Sequence, residues 1–170
     1  MKRFASIAIL LILAGCGYRP LGQGEVSNLP TTVKTIAMGR LKNRTLRPTI
    51  QPALKEALMG RFAADARIRV VEEGVADAIL EGAIEGFGED PIAFDALTDT
   101  ARRLRVSISF SFIVKDRMKD TVLLRDGVTG VAYFSAGPGI GSTRTAEDEA
   151  TSRALTDLAG QVVSRVMDGI

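Results

Sequence analysis

The residues with the clearest chemistry stand near the start of the chain, in the run Leu13-Ala14-Gly15-Cys16. A thiol preceded by two small residues has the form of a lipobox. Ala14 and Gly15 let the segment lie extended in a peptidase groove, and the Cys16 sulfur then takes a diacylglycerol by thioether linkage. Cleavage before Cys16 frees an amine for a further acyl chain such as palmitate. Two or more chains hold a protein at a membrane where one gives only marginal binding. Upstream, Lys2-Arg3 supplies a basic start and Phe4 to Leu13 an apolar run. That run is about ten residues, well short of the ~20 needed to cross a bilayer as a helix. Residues 1–15 are therefore expected to be a removable lipoprotein signal peptide, with Cys16 as the lipid anchor.

Little else in the chain has the residue types of a reaction centre. Cys16 is the one cysteine and there is no histidine. A lipidated Cys16 leaves no thiol for a disulfide or thiolate metal site. The missing histidine removes the commonest general base and metal ligand. No catalytic residue, metal ligand or cofactor is assigned. The run Gly137-Pro138-Gly139-Ile140-Gly141-Ser142-Thr143 lacks the lysine and glycine spacing of a phosphate loop, and reads as a connection. Glu81, Glu85 and Glu89 have the look of paired carboxylates, but the first two share strand parity with Asp77 and read as the polar side of a strand. With the signal removed, the 22 basic residues fall to 20, equal to the 20 acidic ones. The net charge of +2 thus belongs to export and gives no reason to expect nucleic-acid binding. Tryptophan is absent, so no stacking platform for bases or sugars is advertised.

The elements that must carry any site follow from periodicity. Residues 16–31 are rich in Gly, Pro, Ser and Asn and read as a lipidated tether; residues 32–170 read as a single domain. Val33 to Met38 is a first strand, and Asn43-Arg44-Thr45 a turn. Pro48 and Pro52 mark a helix start with Thr49 as N-cap. Ile50, Leu54, Leu58 and Phe62 then recur on one face, ending near Asp65. Ile68 to Glu72 is a short strand, Glu73-Gly74 a turn, and Ala76 to Phe87 a buried strand with bulge-prone glycines. Glu89 to Thr100 is expected as a loop. Leu104, Val106, Ile108, Phe110, Phe112 and Val114 alternate with Arg103, Arg105, Ser107, Ser109, Ser111 and Ile113, which is a long strand with one apolar face. Asp116 to Asp120 turns the chain and Thr121 to Ala136 returns, with a bulge expected at Gly127 or Gly130. Thr145 opens a last helix with the stripe Leu155, Leu158, Val162 and Val166, and with Arg153, Asp157 and Arg165 facing away. The sum is α+β: a four- to five-stranded, mostly antiparallel sheet with two helices packed on one face.

In this order the chain resembles the LPS-assembly lipoprotein family (LptE) of the Gram-negative outer membrane. The resemblance rests on Cys16-Gly17-Tyr18, Asn43-Arg44-Thr45, Asp65-Ala66-Arg67, the run Ala76-Asp77-Ala78-Ile79-Leu80-Glu81-Gly82-Ala83-Ile84, the long hairpin and the final helix. It implies a non-enzymatic lipoprotein anchored by its N-terminal lipid to the cell outer membrane, on the periplasmic side. Its partners would be the β-barrel of the LPS translocon, which it would help assemble and plug, and LPS itself during insertion into the outer leaflet. Gly17, rather than Asp, after the cysteine is consistent with sorting to the outer membrane. The family's LPS contacts are basic residues in loops at one end of the sheet. Arg144, before the last helix, occupies one such place; before the long strand stand Asp95 and Asp99, and the chain turns basic only at Arg102-Arg103. A second reading is an outer-membrane lipoprotein activator of a peptidoglycan synthase. A tether of about fourteen residues, at most ~50 Å extended, favours a partner at the outer membrane.

Overall fold

The computed structural model describes residues 29, 30, 32–94, 101–137 and 139–168. Cys16, the expected signal at 1–15, most of the expected tether at 16–31, and Asp95 and Asp99 lie outside the described residues. The elements are β1 (Thr35–Asn43), α1 (Ile50–Ala63), β2 (Arg69–Val70), a 3-10 turn at Glu73–Val75, β3 (Ala78–Phe94), β4 (Ala101–Asp116), β5 (Thr121–Ser135) and α2 (Ile140–Asp168). They form one five-stranded sheet in the order β2-β1-β3-β4-β5. The β1 strand runs parallel to both β2 and β3, while β3–β4 and β4–β5 are antiparallel. Both helices lie on one face, as the apolar stripes require.

Alternation along β4 decides which face. Val106, Ile108, Phe110, Phe112 and Val114 are buried, and they meet Ile50, Leu54, Leu58 and Phe62 of α1 and Leu155, Leu158, Val162 and Val166 of α2 in one core. Removing that much apolar surface from water is what holds the two layers together. Chain entry at Leu29, the β4–β5 turn and the α2 C-terminus share one end of the sheet. The last residues of β1, β3 and β5 and the first turns of both helices share the other, here the far end.

Several boundaries differ from expectation. The first strand starts two residues later and runs on to Asn43, because its pairing with β3 continues to Ile84. The expected strand Ile68 to Glu72 is reduced to Arg69–Val70, held by the Arg69 amide on the Lys34 carbonyl and the Val71 amide on the Ile36 carbonyl, 3.0 Å each. Residues 89–94, expected as loop, continue β3, paired as far as Phe94↔Ala101. The β4–β5 ladder runs in register through Gly127 and Gly130, and its irregularity lies at Val114/Lys115 instead. The last helix opens at Ile140, not at Thr145. Its start is fastened by the Gly139 amide on Ser142 Oγ (3.1 Å) and the Gly137 amide on Thr143 Oγ1 (3.0 Å). Thr49 does stand at the N-cap of α1, but its side chain makes no cap bond. The turn at Asn43-Arg44-Thr45 is an Asx turn, with Asn43 Oδ1 accepting from the Thr45 amide (2.9 Å) and hydroxyl (2.8 Å).

Candidate functional site

The far end is assembled around Arg47, in the loop between β1 and α1. A bulge between Ile84 and Gly86 shifts the parity of β3. Phe87 therefore turns toward the helices, and Glu89 with it, away from the face that holds Glu81 and Glu85. The Arg47 guanidinium lies 4.2 Å from the centre of the Phe87 ring, 3.7 Å from Glu89, and pairs with Glu147 of α2. The β3 strand and α2 thus meet on one cation from the β1–α1 loop. Burial, and then the neighbouring Glu147 charge, push the Glu89 carboxyl above its ordinary range, against the pull of Arg47.

Beside this joint opens a cleft of about 830 Å3 lined by Leu46, Arg47, Pro48, Ile140, Arg144 and their neighbours. Leu46 is 100% exposed and Ile140 91%, so two apolar side chains stand in water next to the Arg144 guanidinium. Such an arrangement matches a ligand with an anionic group next to an acyl chain: the charge is held by guanidinium, and the tail covers the aliphatic groups. Arg103 belongs to a separate cleft of about 510 Å3 with Tyr133, Glu149 and Arg153, where its guanidinium lies 5.4 Å from the Tyr133 ring centre. Arg102 is exposed, and its carbonyl accepts the Ala136 amide at 3.1 Å. The structure brings Arg102, Arg103 and Arg144 to one end of the sheet but not into one cleft. Leu46, Arg47 and Ile140 escaped the sequence reading; the usable signal was a leucine inside an otherwise polar turn.

The sheet face opposite the helices is mostly polar, with Ile79, Ile113 and Val131 scattered on it and Tyr133 at its β5 edge. Glu81 meets Lys115 at 3.0 Å, and this holds the ammonium above its ordinary range. Glu85 accepts from Ser111 Oγ (2.6 Å) and from Arg44 (2.7 Å), and these bonds lower its carboxyl. Asp90 pairs with Arg105 at 2.9 Å. All three acids read as paired surface carboxylates, not as a reacting couple. Among the described residues no cluster of acids, histidine or cysteine has the form of a metal site. The edge of β5 is closed by α2: Asp157 accepts the Val131 amide (3.0 Å), Gln161 donates to the Thr129 carbonyl (2.9 Å) and Arg153 to the Tyr133 carbonyl (2.9 Å). Arg153 and Asp157 thus seal an edge strand instead of facing away, and Arg165 meets Asp126 at 3.6 Å.

A two-layer α+β domain of this kind recurs in solved structures. It is similar to uncharacterized lipoprotein B from Nitrosomonas europaea (TM-score 0.57, 15% identity, covering 86% of this chain and 88% of that one). It is equally similar to a protein from Xanthomonas campestris (TM-score 0.57, 13% identity, 82% and 88% covered). A hypothetical protein from Chlamydia trachomatis follows (TM-score 0.56, 13% identity, 79% and 96% covered). At such identities the likeness is one of fold. No curated protein matches in sequence. The sequence profile of the lipopolysaccharide-assembly family, LptE, matches residues 33–166, and the chain belongs to that family.

Proposed function

We propose that this chain is a lipoprotein of the outer membrane, cut before Cys16 and lipidated there, with residues 1–15 as signal, 16–31 as tether and 32–170 as the folded domain. It assembles with and plugs the β-barrel of the LPS translocon from the periplasmic side and assists insertion of LPS into the outer leaflet. Its role is binding and support, without catalysis. Family membership supports the reading, and one observation carries it: Arg144 stands beside exposed Leu46 and Ile140 in the far-end cleft. A phosphorylated, acylated glycolipid offers the matching pair of chemistries. That cleft is also at the end remote from chain entry, so the ligand end points away from the lipidated tether. A polar outer sheet face suits the water-lined interior of a barrel.

The test is a pull-down from detergent-solubilised outer membranes with the C-terminally tagged chain. Recovery of a large barrel protein in near-equal amount, with barrel levels falling when the chain is depleted, is the expected result. Recovery of a peptidoglycan synthase, with barrel levels unchanged, would overturn it and promote the activator reading.

A further inference from the structure

The mature chain carries equal numbers of basic and acidic residues, yet they are not spread evenly. On the sheet face opposite the helices, four long strands and Arg44 just past β1 present seven basic side chains against three carboxylates. The three carboxylates are already engaged by Lys115, Arg44 and Arg105. Arg40, Lys42 and Arg125 surround a shallow depression of about 680 Å3. None of them meets a carboxylate at ion-pair distance among the described residues, although Glu73 stands at the margin. The floor between them includes Gly82, Ala83, Ser111 and Ile113, and three carboxylates of the lining, Glu81, Glu85 and Asp126, are engaged by Lys115, Arg44 and Arg165. Farther along the same face, outside the depression, the hydroxyls of Ser107 and Ser109 on β4 lie over Gly88 and Gly86, where a Cβ would come within 2.7 and 3.0 Å. Against Glu73, the three cations Arg40, Lys42 and Arg125 leave a positive excess.

We infer that this face docks on an acidic protein surface, the inner wall of the partner barrel, and that the wall segment opposite Arg40, Lys42 and Arg125 carries Asp and Glu. The inference rests on the plug reading above and adds which face meets the wall and with what charge. The free cations are divided between β1 and β5, with β3 and β4 between them. That spacing fits several carboxylates on an extended surface better than one phosphate group. Ile79 and Ile113 are only half-exposed on this face and are separated by Glu81 and Lys115, and Tyr133 stands at its β5 edge, so the apolar surface offered to an acyl tail or a sugar is interrupted by charge. A second copy laid face to face would oppose like charges. Charge pairs of this sort steer encounter and fix orientation more than they add affinity, and they weaken as salt rises.

The test compares the full lipidated chain with Arg40→Glu/Lys42→Glu/Arg125→Glu in outer-membrane pull-downs at low and moderate salt. These side chains make no ion pair that the fold needs, so the melting temperature should stay within a few degrees. The expected result is at least tenfold less barrel recovered with the triple variant, with binding to purified LPS unchanged. A photo-crosslinker at Ser109 should capture a barrel peptide rich in Asp and Glu, and reversing those acids to Lys should restore recovery with the variant. Undiminished recovery with the triple variant would overturn the docking face while leaving the plug reading intact. Loss of LPS binding with recovery intact would assign the face to the glycolipid instead. If the unaltered chain recovers no barrel, the plug reading falls first and this inference with it.

Discussion

Asp77 shows how much one carboxylate can hold. It accepts from the Lys34 and Thr35 amides (2.9 Å each) and from the Thr35 hydroxyl (2.8 Å), tying the start of β3 to the start of β1. These bonds, led by the Lys34 amide, lower its carboxyl below the ordinary 3.8, and the Arg67 guanidinium does the same for Asp65. A carboxyl lowered in the folded state binds fewer protons than its unfolded counterpart. Its stabilisation is therefore complete above the unfolded pKa and fades as pH falls through the folded one. Urea midpoints should thus drop steeply below about pH 4. Asp77→Ala should cost about 1–3 kcal/mol at pH 7 by leaving three donors unpaired, and should flatten that acid limb. Glu89 has the opposite sign. With its carboxyl raised above 4.5, its contribution is full below the unfolded pKa and lost as pH rises through the folded one. Glu89→Gln should consequently raise the urea midpoint at pH 7 slightly, by less than about 1 kcal/mol given its exposure, with the gain gone at pH 4.

The element scale is governed by how closely α2 lies on β5. A Cβ at Gly130 would stand 2.1 Å from the Ala154 carbonyl oxygen and 2.6 Å from Leu158 Cβ. Only glycine lets the helix backbone approach the strand there. Gly130→Val should force α2 outward at a cost of about 1–3 kcal/mol or more, read as a lowered urea midpoint. Gly127→Ala, three residues earlier, would place its Cβ 3.6 Å from the Phe110 carbonyl, an ordinary contact, and should leave the midpoint nearly unchanged. The sequence offered Gly127 or Gly130 as a bulge position. A glycine in a strand marks either a bulge or a close approach, and the chain alone does not say which element comes near. Asp157, Gln161 and Arg153 make the same point. Their helical spacing reads as a polar face, but the neighbour they find is the open edge of β5.

For the whole molecule, the proposed function depends on the two ends of the sheet being different. The described chain enters at one end, at Leu29, while Arg144, Leu46 and Ile140 gather at the other. Arg144→Glu with Leu46→Asp should reduce binding to purified LPS at least tenfold, about 1.4 kcal/mol or more, without changing the urea midpoint, since both side chains are in water. Cys16→Ala should leave an unlipidated chain that fractionates with soluble periplasmic protein, checked by membrane fractionation and the mass of the N-terminal peptide. Barrel recovery from those cells should fall with it, because a tethered partner works at a higher effective concentration.

The apolar periodicities of α1, β4 and α2 are local, and they were enough to determine the α+β class, the buried face of each element and the long hairpin. The lipobox is likewise a reading of a short linear segment, and it lies outside the described residues. Only the tertiary structure decided the rest. The β3 bulge that turns Glu89 toward Arg47 and Glu147 depends on which residues of β4 lie opposite. The cleft at Arg144 is made by the β1–α1 loop at Leu46 and the start of α2 at Arg144, 98 residues apart in the chain, so no spacing rule connects them. The positive face arises because β1, β4 and β5 turn their basic residues to the same side. That coincidence of parity across strands exists only once register is set, because a one-residue slip would send those side chains into the core.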